Sequence, residues 1–62
     1  MYKKFAELLE KTNKTAYQVS RDTGVSTATL TNWKYGRYVP KADKLKLLAD
    51  YFGVSIEYFL EE

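Results

Sequence analysis

The chain has 62 residues, ten basic and eight acidic, and contains neither cysteine nor histidine. At this length one small domain is possible, burying only about 60% of its unfolded surface. The missing cysteines exclude disulfides, thiolate metal sites and redox chemistry, and the missing histidines remove the usual metal ligand and general base.

The first helix is predicted from about Tyr2 to Thr12, with Phe5, Leu8, Leu9 and Thr12 as an inner stripe at three- and four-residue spacing. Asn13-Lys14 breaks it. Thr15 is a good N-cap for a second helix, and Gln18 three residues on completes a T-x-x-Q capping box. That helix covers about Ala16 to Thr23 and offers Val19 and the Thr23 methyl inward. At Gly24 a positive φ is cheap, so the chain can turn sharply there. Val25 plugs the turn, and Ser26 caps a third helix from about Thr27 to Tyr35 with Leu30 and Trp33 inside. Gly36-Arg-Tyr-Val-Pro40 is a loop ended by the only proline. A fourth helix, near Ala42 to Phe52, carries Ala42, Leu45, Leu48, Ala49 and Phe52 on one face. Gly53 stops it, Ser55 caps a last short helix, and Ile56, Phe59 and Leu60 close the core. Five helices with short connections and no strand pattern, linker or repeat predict a compact all-α domain. A hydrophobic fraction of 45%, including ten aromatic residues, supplies its core.

Charge is unevenly placed along these elements. Between Lys34 and Lys46 lie five basic residues and one acid, Asp43, whereas Leu47 to Glu62 holds Asp50, Glu57, Glu61 and Glu62 and no base. One side therefore suits a polyanion and the C-terminal end does not. An ordinary solvated helix surface accounts for the same counts. No apolar run approaches the ~20 residues of a membrane span, and no signal-peptide pattern precedes the domain. A soluble, cytoplasmic protein is expected.

The second and third helices, hinged at Gly24, have the layout of a helix-turn-helix. Thr15, Gly24-Val25-Ser26, Leu30, Gly36, Pro40, Leu45, Leu48-Ala49 and the closing Phe52-Gly-Val-Ser-Ile-Glu-Tyr-Phe-Leu60 resemble the Cro/CI-type (XRE-like) helix-turn-helix domains of phage repressors and bacterial regulators. The resemblance covers essentially the whole chain. It implies a lambda-repressor-like fold with helices two and three as the helix-turn-helix, and binding of double-stranded DNA near a nucleoid in the cytoplasm. Three features depart from the family pattern. Ala16 stands where many members carry Gln, Val19-Ser20 replaces a Leu-Ala pair, and Lys34 stands where a Glu often pairs with a first-helix Arg, here Leu9.

With Leu30 and Trp33 inward, Thr27, Ala28, Thr31 and Asn32 fall on the opposite face of the third helix. Their short side chains let the backbone lie deep in a major groove. Asn32 suits a bidentate contact to adenine, while Thr27, Ala28 and Thr31 suit thymine methyls or a single hydrogen bond. A·T-leaning base contacts are expected. Lys34, Tyr35, Gly36, Arg37, Tyr38 and Lys41 surround the following loop, which the resemblance lays along the sugar-phosphate backbone, with the Gly36 amide open to a phosphate. Thr15 and Tyr17, at the start of the second helix, are the other expected phosphate anchor. Such contacts position the domain without reading sequence. Trp33 is expected at or near the core, its indole N–H reaching the rim.

A single domain of this kind reads a half-site, so a near-palindromic operator and a weak homodimer, formed on DNA, are expected. Leu47, Tyr51 and Tyr58 are the apolar residues available for a partner, although loose surface hydrophobics explain them equally. A transcriptional regulator, foremost a repressor, is the expected role, and the sequence suits both a whole protein and the N-terminal domain of a longer one. The alternative is a protein-interaction or antitoxin-like adaptor module. Basic charge around the third helix favours DNA over it. No nucleophile–base spacing, Gly-rich phosphate loop or metal-ligand cluster is present, so neither an enzyme nor a cofactor or small-molecule ligand is expected.

Overall fold

The computed structural model describes residues 2–60. Glu61 and Glu62, counted above in the acidic end, lie outside the described residues. Five helices follow one another: α1 (Tyr2–Thr12), α2 (Ala16–Thr23), α3 (Thr27–Lys34), α4 (Ala42–Phe52) and α5 (Ile56–Leu60). The predicted bounds hold, except that α3 gives up Tyr35 to its C-cap.

Local chemistry explains where the helices start and stop. Before α2, the Thr15 hydroxyl accepts from the Gln18 N–H at 3.1 Å, and the Gln18 carboxamide accepts from the Thr15 N–H at 2.8 Å. This is the reciprocal capping box, satisfying two otherwise orphaned amides. At the other end of α2, Gly24 takes φ +82°, a conformation that side chains with a Cβ adopt only at a cost. The Thr23 hydroxyl completes the turn, donating to the Val19 carbonyl at 2.7 Å and accepting from the Val25 N–H at 3.2 Å. Ser26 then caps α3 by accepting from the Thr29 N–H at 3.1 Å. Asn13, with φ +57°, ends α1, while the Lys14 N–H reaches back to the Leu9 carbonyl at 3.0 Å. Asparagine is among the few residues that tolerate this region. At the start of α5 the hydrogen bond is backbone to backbone, Tyr58 N–H to the Ser55 carbonyl at 3.1 Å.

Every helix contributes to one core made of Phe5, Leu8, Val19, Val25, Leu30, Trp33, Leu45, Leu48, Ala49 and Phe59. Its centre is aromatic. The Phe5 and Trp33 rings lie 5.4 Å apart; Tyr2 meets Trp33 edge-on at 5.4 Å, and Phe59 meets it at 6.0 Å. Phe52 joins from α4, 6.0 Å from Phe5. These separations fall in the range where tilted and edge-to-face rings attract beyond their buried area. The cluster ties α1, α3, α4 and α5 together.

Three inward assignments need correction. Thr12, the last residue of α1, is exposed, and its hydroxyl donates to the Leu8 carbonyl at 2.6 Å. Ala42 and Leu60 are exposed as well, one in the first turn of α4 and the other in the last of α5, where little chain remains to cover them. Leu9 and Phe52 are half-buried. The Trp33 N–H does not reach the rim: it is buried without a hydrogen-bond partner. Tyr2, absent from the predicted stripe, packs on that indole.

Two substitutions separate packing from turn geometry. Phe5→Ala should cost about 3–5 kcal/mol, comparable with the roughly 3–9 kcal/mol available to a domain this size. Its cooperative melt, followed by circular dichroism, should vanish or fall near room temperature. Gly24→Ala meets no atom within 4 Å of the added Cβ, so only the left-handed backbone is penalised, by about 1–2 kcal/mol. A fold that persists with a midpoint roughly 5–15 °C lower is expected.

Candidate nucleic-acid interface

α3 divides cleanly between its two sides. Leu30 and Trp33 are buried, and Thr27, Ala28, Thr31 and Lys34 are exposed. The sharp turn through Gly24 and Ser26 sets this helix against α2, with buried Val25 as the plug between them. Thr27, Ala28 and Thr31 themselves carry short side chains. The fourth expected reader, Asn32, is half-buried. Its amide is engaged: Oδ1 accepts from Arg37 Nη1 at 3.0 Å, and Nδ2 points to the Tyr38 hydroxyl at 3.5 Å.

The end of α3 builds the basic rim. Gly36 takes φ +72°, which turns the chain so that the Arg37 N–H bonds the Asn32 carbonyl at 2.9 Å. This is a Schellman-type closure. The Gly36 amide, expected to be open to a phosphate, donates to the Trp33 carbonyl at 3.0 Å instead. What Gly36 offers is a backbone without a side chain, not a free donor. Tyr35 is exposed, with Lys34 Nζ 5.8 Å and the Arg37 guanidinium 5.4 Å from its ring centre. Hydrogen bonds with Thr29 and then with Asn32 hold the exposed Tyr38 hydroxyl below the usual tyrosine pKa.

Two open clefts flank the loop. One is lined by Tyr2, Lys3, Trp33, Lys34, Gly36, Tyr38 and Val39. The other includes Thr29, Tyr38, Pro40, Lys41 and Lys44. Lys3 is the basic residue that sequence reasoning missed: it lies 31 positions from Lys34, so nothing in the local pattern pairs the two. Lys41 is exposed and serves as the N-cap residue of α4 through its backbone. Thr15 and the exposed Tyr17 sit at the start of α2, apart from this loop cluster. There the first-turn amides of the helix favour an anion.

Of the residues suggested for a partner surface, Leu47 is exposed. Tyr51 and Tyr58 are half-buried and engaged within the chain. Lys4 Nζ lies 5.3 Å over the Tyr58 ring. The Tyr51 hydroxyl donates to Asp22 Oδ2 at 2.7 Å, joining α4 to α2, and Lys14 Nζ lies 5.5 Å over its ring. Among the described residues no helix is long and apolar enough to cross a membrane, and no acidic cluster could hold a metal ion.

The Tyr51 hydrogen bond, foremost, and Arg21 beside it hold the Asp22 carboxyl below its ordinary value of 3.8, against a smaller opposing effect of desolvation. A depressed carboxylate stabilises the fold above its unfolded pKa and loses that contribution as pH falls through the folded one. The bond should therefore weaken only in acid below about pH 4. Tyr51→Phe should move the Asp22 midpoint, read from its side-chain carboxyl carbon by NMR titration, up toward the ordinary value. An unchanged midpoint would make the Arg21 contact the cause.

A family model described as helix-turn-helix matches residues 5–59. No curated protein and no solved structure gives a significant match. The matched span runs from the aromatic hub residue Phe5 to Phe59, taking in the capped α2, the Gly24 turn and the two-sided α3. By sequence match and by architecture together, the chain belongs to the Cro/CI-type helix-turn-helix family of DNA-binding transcriptional regulators.

Proposed function

We propose that this protein is a sequence-specific operator-binding regulator, foremost a repressor, that inserts α3 into the major groove. The observation that carries the reading is the exposed face of Thr27, Ala28 and Thr31. Its side chains are short enough for the helix to approach base edges closely, and Asn32 borders it. Asn32 suits an adenine edge, and the threonine and alanine methyls suit thymine. Lys34, Tyr35, Arg37, Tyr38 and Lys41 follow the sugar-phosphate backbone beside Gly36, and Thr15 with Tyr17 hold a second phosphate at the start of α2. Repression follows from occupying promoter DNA in the cytoplasm.

One domain reads one half-site, so two copies occupy a near-palindromic operator one helical turn apart. Exposed Leu47 is the residue on which a weak contact between DNA-bound copies would rest. The competing role, docking onto a protein, lacks support from the charge around α3. From Lys34, the last residue of α3, to Lys46, five basic residues stand against the single acid Asp43.

Selection from a random duplex pool at about 150 mM salt, where non-specific attraction is weak, should enrich a near-palindromic motif. Asn32→Ala should then cost about 1–3 kcal/mol on the selected site and relax preference at one base pair. Equal losses on selected and scrambled duplexes would remove Asn32 from base reading. A monomer neutralising about three phosphates should show a log–log salt slope near −3. Absence of any enriched motif, with a protein captured in its place, would favour the adaptor role.

A further inference from the structure

Asn32 and Arg37 are joined twice, through their side chains at 3.0 Å and through the Arg37 N–H and Asn32 carbonyl at 2.9 Å. The guanidinium is held on a second side, 5.4 Å from the Tyr35 ring centre. An asparagine amide has nearly the same shape either way round, yet its two ends have opposite hydrogen-bonding character. An arginine can only donate, so a guanidinium fixed beside the amide selects the oxygen. The Tyr38 hydroxyl, 3.5 Å from Nδ2, accepts on the other end.

We propose that Arg37 is a specificity-determining positioning residue, which orients the Asn32 amide for adenine while the free edge of its guanidinium takes a DNA phosphate. This rests on the reading of α3 as the base-reading helix. With one lone pair of Oδ1 directed to Arg37, a second remains, and Nδ2 keeps a proton not directed at Tyr38. Those two groups match the N6 donor and N7 acceptor that adenine presents in the major groove. Arginine has five N–H donors and the Asn32 bond uses one, which leaves donors for a phosphate oxygen. Base recognition and backbone docking thus share one side chain. A lysine would keep the charge but lacks the planar fork that serves both partners at once.

The test compares wild type, Asn32→Ala, Arg37→Ala, Arg37→Lys and the Asn32→Ala/Arg37→Ala double variant. Each is titrated against the selected duplex and its single-base-pair variants at about 150 mM salt, after a thermal melt has established that it folds. Asn32→Ala and Arg37→Ala should each lower discrimination at the same base pair by about fivefold or more. The double variant should lower it no further than Asn32→Ala alone. Arg37→Lys, which keeps the charge but not the fork, should lose that discrimination while weakening binding to scrambled duplex less than Arg37→Ala does. In the free domain, the Asn32 side-chain NH2 resonances should lie apart from those of exposed Asn13 and collapse toward them in Arg37→Ala. The proposal is overturned if Asn32→Ala relaxes a base pair but both Arg37 variants preserve it, with Arg37→Ala weakening all duplexes alike. If Asn32→Ala changes no base preference, Asn32 reads no base and the role of Arg37 fails with it, while an enriched motif still leaves base reading to Thr27, Ala28 and Thr31.

Discussion

The contact on which the rest of this small protein depends is the one between Phe5 and Trp33. α3 has eight residues, well below the ~12–15 at which an isolated helix becomes even marginally stable. It has just two buried residues with which to hold its place. Leu30 anchors it near the turn. Trp33 does the larger share, meeting Tyr2 and Phe5 from α1 and Phe59 from α5. A helix gripped along so narrow a line would roll about its own axis unless the grip were wide and rigid, and an indole wedged among three rings supplies that width. The direction in which Thr27, Ala28 and Thr31 face is set from inside the core.

Much of this was legible in the sequence because the deciding interactions are local. The Thr15–Gln18 box, the Ser26 cap and the Gly24 turn involve residues within a few positions of one another, and each forms as its residue types require. Leu30 and Trp33 were legible from spacing alone. The misjudged residues share a different cause. Thr12, Ala42 and Leu60 have the right periodicity but sit where helices end, and a periodicity argument does not register that the neighbouring elements stop short. Tyr2 and Lys3 gain their importance from α3 and the loop after it, some thirty residues away. The engagement of Asn32 was hidden because a turn at Gly36 folds Arg37 back over the helix it has just left. Helix-face reasoning treats that residue as loop.

The basic rim is organised differently from a scatter of surface lysines. Long cationic side chains lose conformational entropy when they settle on a partner, which reduces the gain from each contact. Here Lys34 and Arg37 lie near the Tyr35 ring, and Lys4 and Lys14 lie near Tyr58 and Tyr51. Part of the ordering cost is met within the folded chain by contacts individually worth about 0.5–1 kcal/mol at exposed sites. Three of the six tyrosines, Tyr35, Tyr51 and Tyr58, therefore serve as rests for the cations, and Tyr51 and Tyr58 also pack against the core.

Trp33 is the only tryptophan in the chain, and its N–H is buried without a partner. That gives the molecule a single indole fluorophore, excitable to the red of its six tyrosines, in a buried aromatic setting at its mechanical centre. Its neighbour in sequence is Asn32, at the edge of the exposed face of α3. One emission signal is thus placed to follow both the opening of the core and any small tilt of α3 as it settles on a partner, with no label added. The two events are separable in principle. Opening exposes the indole to water, whereas a tilt changes the rings around it and leaves it buried.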